Sequence, residues 1–521
     1  MSAGKRAAVA FLFCIASNLA AGQTTVGWST TLGGSSWEQE QLVRALPEGG
    51  CLVVGNTYSN DSDLPGSLGN CDILALRLDS QGSVLWQERF GGENTDLVSD
   101  VIILPDGGAV ICGRSRSSSG MMAGLHQGLF DLLVFRISEE GTLLWSSAFG
   151  GSNSDHANAM CPHPDGGFVL AGKSNSSDGD TGGQIASHDI WLLHLDDDGN
   201  LIQQASLGEE FGASGYIAYE YANDLVMGDD QNLIVVGMSN AVSIDLEENG
   251  PYQDQYIAKL NPDFDIVWET YTGGMIADEV NVAWPMPNGG VMAAGITWSP
   301  DFAVSDLDNP DYCLGTLTKT NGDGDIEWAQ IFGGEDIDRI LDLCPGNQGG
   351  WFAIGISESM TGPFGGNAGQ ADLWLLHMDA EGQLVHQELM GGSQNDVGNS
   401  IAMDQQTGRI YLAGTAYSAD GDLSQNQGES DFWLLGLDVP MSVTNVEHDA
   451  PMRYDYATGA LIWVSKNTPS GDVLVFNALG QQVLRQSPGW STLPLDQLPT
   501  GHYAVVCYSE GKSSKLSVFV P

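Results

Sequence analysis

The sequence predicts an all-β chain: a seven-bladed β-propeller of four-stranded blades with a one-plus-three strand closure, followed by a small immunoglobulin-like β-sandwich. Three anchors that recur in one register carry the prediction. Apolar runs such as LVVG, VICG and YLAG end in Gly55, Gly113, Gly172, Gly237, Gly295, Gly355 and Gly414, at intervals of 58, 59, 65, 58, 60 and 59 residues. An aspartate opens a second apolar run in each unit: Asp72, Asp131, Asp189, Asp254, Asp311, Asp372 and Asp431. A third segment starts at Trp28, Trp86, Trp145, Gln203, Trp268, Trp328 and His386 and leads to a diglycine, as in WQERFGG and WAQIFGG. Such a period marks supersecondary units that bury their faces only by stacking on one another.

Each unit reads as four short strands. Strand a resembles VSDVIIL, b AVICGRS, c DLLVFRI and d TLLWSSAF, apolar runs bounded by Gly, Asp, Asn and Pro. Tight turns join a to b, as in PDGG at 105–108 and 164–167, and c to d, as in DSQG and DAEG. Four antiparallel strands repeated radially make a propeller, and the absence of a sustained 3.6-residue period excludes a helical solenoid. The array begins with a lone d strand at Val26–Leu32 and ends with a, b and c at 400–437. The first strand therefore completes the last blade and leaves the ring without a free end. Because the strands alternate in direction, the d–a and b–c connections share one face, which carries the long variable loops where function concentrates.

The segments outside the repeats have their own signatures. Lys5 and Arg6, an apolar run from Ala7 to Ala16 and the small residues Ala20, Ala21 and Gly22 describe a secretory signal peptide over 1–22, cleaved near Gly22. The propeller is assigned to 24–438, a linker to 439–450 and the sandwich to 451–521. No later segment is long and apolar enough for a transmembrane helix. The remaining cysteines, Cys51, Cys71, Cys112, Cys161, Cys313, Cys344 and Cys507, are odd in number and lack metal-ligand spacing. They predict small buried hydrophobes and no disulfide framework. Asp plus Glu is 67 against 18 Lys plus Arg, a net charge of -49, which excludes nucleic acid and anionic membrane surfaces as partners.

The C-terminal stretch VFNALGQQV, then LPLDQLPTGHYAVVCYSEGKSSKLSV, resembles the type A C-terminal sorting domain of the Bacteroidetes type IX secretion system. Gly480, Val483, Leu498, Pro499, Gly501, Tyr503, Gly511 and Lys515 carry the match, whereas the family's YPNP-like opening is missing. The repeats are similar to propeller repeats of secreted proteins in that group. The resemblance implies passage through the inner membrane on the signal peptide. Transfer across the outer membrane by the type IX machinery follows, with release or attachment at the cell surface.

Two carboxylate patterns stand out. An acid lies four residues past the diglycine in six repeats: Glu38, Asp96, Asp155, Asp278, Asp338 and Asp396. With the strand-c aspartates these residues predict backbone acceptors that fasten the loops. The pairs Asp61 and Asp63, Asp178 and Asp180, and Asp420 and Asp422 alternate in b–c loops, a spacing of hard oxygen donors that suits calcium. No catalytic or nucleotide-binding motif appears, so no catalytic residue and no cofactor other than calcium is assigned. The expected function is a monomeric, non-catalytic extracellular or cell-surface protein that binds a glycan or protein through its b–c loops. A secreted propeller hydrolase or lyase acting on polysaccharide is the alternative.

Overall fold

The computed structural model describes residues 24–439, apart from 182–188, 209–218, 241–252, 303–311, 348 and 361–366, and beyond 439 mainly strand segments. The signal-peptide residues and Asp311 lie outside the described residues. Thr24–Val439 is one compact unit. It holds seven four-stranded antiparallel sheets, each in the order a-b-c-d. The inner strands a are Glu38–Ala45, Asp96–Ile103, Asp155–Pro162, Glu220–Met227, Asp278–Pro285, Asp338–Pro345 and Asp396–Met403, which number the blades 1 to 7. In blade 7 the outer strand is Thr25–Leu32, which pairs with Asp431–Asp438 and closes the ring as the sequence requires.

Every strand a carries a bulge in its pairing with strand b, for example between Ala222 and Asp224 and between Val280 and Val282. A bulge increases local twist and re-aims one side chain. It also explains the strand-b glycines. A β-carbon on Gly172, Gly237, Gly295 or Gly355 would stand 1.8–2.0 Å from a strand-a carbonyl oxygen at the bulge. Buried aliphatic residues of neighbouring sheets then interlock, as where Val54, Ile73 and Ala75 of blade 1 meet Val98, Ile111 and Leu133 of blade 2.

The strand-d tryptophans join blades on the tight-turn face. Trp86 Nε1 donates to Glu139 O at 3.0 Å, and Trp268 Nε1 to Gly322 O at 2.9 Å, both in c–d turns of the next blade. The indoles lie on Gly141 and Gly324, where a β-carbon would stand 3.0 and 2.7 Å from the ring. The six described cysteines within the propeller are free and buried.

Beyond the propeller, strands Met452–Asp455, Ala460–Trp463 and Thr492–Pro494 form a three-stranded sheet. Val473–Asn477, Gln482–Gln486, Gly501–Ser509 and Lys512–Val520 form a four-stranded one. Of the sorting-motif residues, Gly501, Tyr503 and Lys515 lie on its last two strands, which pair along their whole length. Leu498 precedes them, while Gly480 and Pro499 lie outside the described residues.

Candidate functional site

Carboxylates ring the b–c face, and most are committed to backbone. In six blades the acid opening strand a accepts from the second glycine of the diglycine, as in Gly92 N to Asp96 at 2.8 Å, Gly151 N to Asp155 at 2.8 Å and Gly392 N to Asp396 at 2.8 Å. Ser117 Oγ and Ser176 Oγ add bonds of 2.8 Å to Asp96 and Asp155. The strand-c aspartates close the loop behind them, Asp72 accepting from Leu68 N at 2.9 Å, Asp131 from Gln127 N at 2.7 Å and Asp372 from Ala368 N at 2.7 Å. The first glycine makes room where the two acids of adjacent blades meet. A β-carbon on Gly391 would lie 2.3 Å from Asp372 Oδ1 and 3.0 Å from Asp396 Oδ2. Burial, reinforced by Asp396 and Asp422, pushes the Asp372 carboxyl up to about 6. Burial and the nearby Glu38 and Asp63 do the same to Asp431, also to about 6.

Two sequence assignments need amendment on this ring. Blade 4 has its acid too: Glu220 opens strand a and accepts from Ser239 Oγ at 3.3 Å. The spacing hides it: the GG pair becomes Gly208-Glu209, and Glu220 follows eleven positions after Glu209, where the other acids follow the second glycine by four. In blade 5 strand c begins at Leu314, which pairs with Thr297 as Asp72 pairs with Thr57, so Leu314 occupies the position of the other aspartates and Asp311 precedes it by three.

The six calcium candidates face amide donors. Asp61 accepts from Ser35 N at 2.8 Å, Asp178 from Ser152 N at 2.7 Å and Asp420 from Ser393 N at 2.8 Å. Asp180 accepts from Gln127 Nε2 at 2.7 Å and Asp422 from Gly391 N at 3.0 Å, while Asp63 accepts from Gln427 Nε2. Among the described residues no group of three or more His, Cys, Asp or Glu is arranged to hold a metal ion.

The central channel holds a second polar ring, absent from the sequence reading. The extra residue of the bulge is an asparagine in four blades. Asn158, Asn223 and Asn281 donate to Ala222 O, Val280 O and Ile340 O of the next blade at 2.7–2.8 Å, and Asn399 donates to Gln41 at 2.9 Å. One residue further on, Asp100, Asp224 and Asp342 accept from Met160 N, Ala283 N and Ile401 N of the next blade, each at 2.9 Å. Arg44 is the cation among them, 2.7 Å from Asp100. Desolvation in the channel wall, with Asp100 as like charge, pushes Asp224 up to about 7.

At the channel mouth on the b–c face, blades 2 to 4 assemble a different surface. Arg114 and Arg116 lie over the Phe130 ring at 5.6 and 5.2 Å, and Lys173 lies over Tyr221 at 4.6 Å. His156, edge-on to Phe130 at 5.9 Å, sits between them. Burial, together with the charges of Arg114 and Lys173, pushes its imidazole down to about 4, so it is neutral at pH 7. Its Nε2 has no hydrogen-bond partner among the described residues. In blade 1, Trp37 and Tyr58 stand nearly perpendicular at 6.3 Å and are 45% and 37% exposed. On the outer wall, a separate cleft of about 520 Å³ is lined by Leu68, Glu88, Arg89, Met121 and Leu143 of blades 1 and 2. No helix among the described residues is long and apolar enough to cross a membrane.

No protein-family model matches the chain, and no curated protein matches it either. Solved structures align at low identity. The WD40 domain of Neurospora crassa Pan2 gives a TM-score of 0.43 at 10% identity over 80% of this chain and 97% of that one. A polysaccharide lyase described as a PL25 ulvan lyase gives 0.43 at 11% over 78% and 95%. The extracellular domain of a putative one-component system from B. thetaiotaomicron gives 0.39 at 11% over 97% and 59%. Likenesses at this level say nothing of what the chain binds.

Proposed function

We propose that the chain is an exported, cell-surface or extracellular propeller that binds a glycan through the b–c face at its channel mouth. The observation that carries this reading is the set of rings on that face. Trp37, Tyr58, Phe130 and Tyr221 present partly exposed aromatic faces, whereas Trp86 and Trp268 on the opposite face are spent on the joints between blades. Aromatic rings offer an apolar body with a polar edge, which matches the apolar and hydroxylated sides of a sugar ring. On a glycan array the purified chain should bind a defined subset of sugars. Trp37→Ala and Tyr221→Ala should each weaken that binding about tenfold with the melting temperature retained. An array without hits, or variants that bind as the parent does, would reject the reading.

Export belongs to the same proposal and rests on the signal-peptide pattern and the sorting-domain resemblance. In a host with a type IX system, a chain lacking 451–521 should stay in the periplasm while the full chain reaches the surface or medium, as read by cell fractionation. Recovery of the truncated chain from the medium would overturn it. A second reading, a polysaccharide hydrolase or lyase, draws on His156, a neutral imidazole with an unpartnered Nε2 between cations. Turnover on a polysaccharide panel that is lost in His156→Ala would establish it.

A further inference from the structure

Eleven lysines and arginines fall within the described propeller, and seven are neutralised in ion pairs: Arg44, Arg77, Arg89, Arg136, Lys259, Lys319 and Arg409. In a chain of net charge -49, any cation left without a carboxylate is unexpected on electrostatic grounds alone. Among the described residues the other four, Arg339, Arg114, Arg116 and Lys173, make no ion pair; Arg339 stands alone on strand a of blade 6, whereas the last three gather in one sector of the channel mouth. Their contacts are instead with the faces of Phe130 and Tyr221. A ring face holds a cation in place without neutralising it and leaves N–H groups available to an anion.

We propose that this sector, across blades 2 to 4, is the subsite for the anionic group of an acidic polysaccharide, a carboxylate or a sulfate. Arg114, Arg116 and Lys173 are its charged contacts, and Phe130 and Tyr221 are its aromatic walls. The inference rests on the glycan-binding reading and names the substrate class for it. The guanidinium fork of arginine suits both anions, since two parallel N–H groups meet two oxygens. Neutral His156 contributes a hydrogen-bonding edge and no charge. Glu40, the acid whose charge Arg114 feels across the blade boundary, is itself engaged by Asn56 Nδ2 at 2.5 Å. The strongly acidic remainder of the molecule repels polyanions, so that binding is favoured at the sector where three cations without ion pairs gather.

The test compares matched polymers on the full chain by calorimetry: polygalacturonate against its methyl ester, and dextran sulfate against dextran. At least one acid should bind about tenfold or more tightly than its neutral counterpart, and the two arms identify which anion is preferred. Arg114→Gln with Lys173→Gln should abolish that preference at an unchanged melting temperature, while Lys319→Gln on the opposite face leaves it intact. Should that double variant instead fail to fold, Arg116→Gln alone, an exposed position, should still lower the preference. Neutral polymers bound as well as acidic ones, or a preference that survives the substitutions, would overturn this inference and leave the glycan reading standing. No binding of any polymer, with none on the glycan array either, would overturn both.

Discussion

At Gly237 the missing side chain is a matter of ångströms. A β-carbon there would stand 1.8 Å from Tyr221 O and 2.9 Å from its carbonyl carbon, at the point where the strand-a bulge swings the backbone inward. Neither atom is the end of a flexible side chain, so Gly237→Ala has to move a strand. The expected cost is about 3 kcal/mol, read from denaturant unfolding. Gly166, in an a–b turn at φ +103° with no atom near its β-position, should by contrast lose stability only through backbone strain. A Gly237→Ala protein as stable as the parent would mean that the bulge is not fixed. The strand-b glycines were visible in the sequence as a period, but the reason for them was not. The colliding carbonyl belongs to a residue sixteen positions earlier on a neighbouring strand.

Strand Thr25–Leu32 is the element on which ring closure depends, because its partner Asp431–Asp438 lies at the other end of the array. A chain lacking 24–32 exposes the edge of Asp431–Asp438 and loses the Trp28 contact with the blade 1 turn, where Nε1 donates to Ser80 O at 3.2 Å. Such a chain should associate in a concentration-dependent way and unfold over a broader transition, as seen by light scattering and calorimetry. A monomer with the parent's sharp transition would show that closure contributes little. The strands a act as a second, inner belt, since the Asn and Asp side chains at the bulge bond each blade to the next. Arg44 is the counter-charge to that belt, about one-third exposed beside Asp100. Arg44→Gln should cost about 2 kcal/mol at pH 8 and less at pH 5, where Asp224, one of the carboxyls whose charge Arg44 feels, is protonated. An equal loss at both values would remove Arg44 from this role. In sequence the asparagines of ANA, AND, VNV and GNS recur with the blade period, a signal that was available but carried no meaning until the bulges aimed them at the next blade.

The whole propeller should be most stable in mild acid. Asp224 is raised to about 7, and Asp278, Asp372 and Asp431 to about 6, in each case chiefly by burial. Each carboxyl holds its proton more tightly in the folded state than in the unfolded chain, whose value is near 4. Their stabilising contribution is therefore full below about pH 4 and is lost as pH rises through 6 to 7. His156, depressed to about 4, opposes this with one group, gaining stability as pH rises from 4 to about 6.5. Exposed acids with lowered values, Glu93 at about 2 among them, lose their contribution only as pH falls below the ordinary carboxylate range. The melting temperature should thus fall between pH 5 and 7.5 at constant ionic strength, and self-repulsion at net charge -49 adds in the same direction. A melting temperature that rises over that interval would contradict the assignment.

The sequence by itself determined the repeat, the number of blades, the closure and the face that carries the loops. These follow from strand-length patterns and turn chemistry, which are written in neighbouring residues and repeated seven times. It also located most of the rim acids, and slipped where the spacing was broken, at Glu220 behind a connection seven residues longer than in the other blades and at Leu314. The inner belt of Asn158, Asn223 and Asn281 and the isolation of Arg44 among channel acids were decided only in three dimensions. So was the gathering of Arg114, Arg116, Phe130, His156, Lys173 and Tyr221 at one mouth. The physical reason is that a propeller brings equivalent positions of successive blades side by side at its axis while holding them about 60 residues apart along the chain. Which cations find a carboxylate and which are left over is a property of that convergence. No local pattern of residues records it.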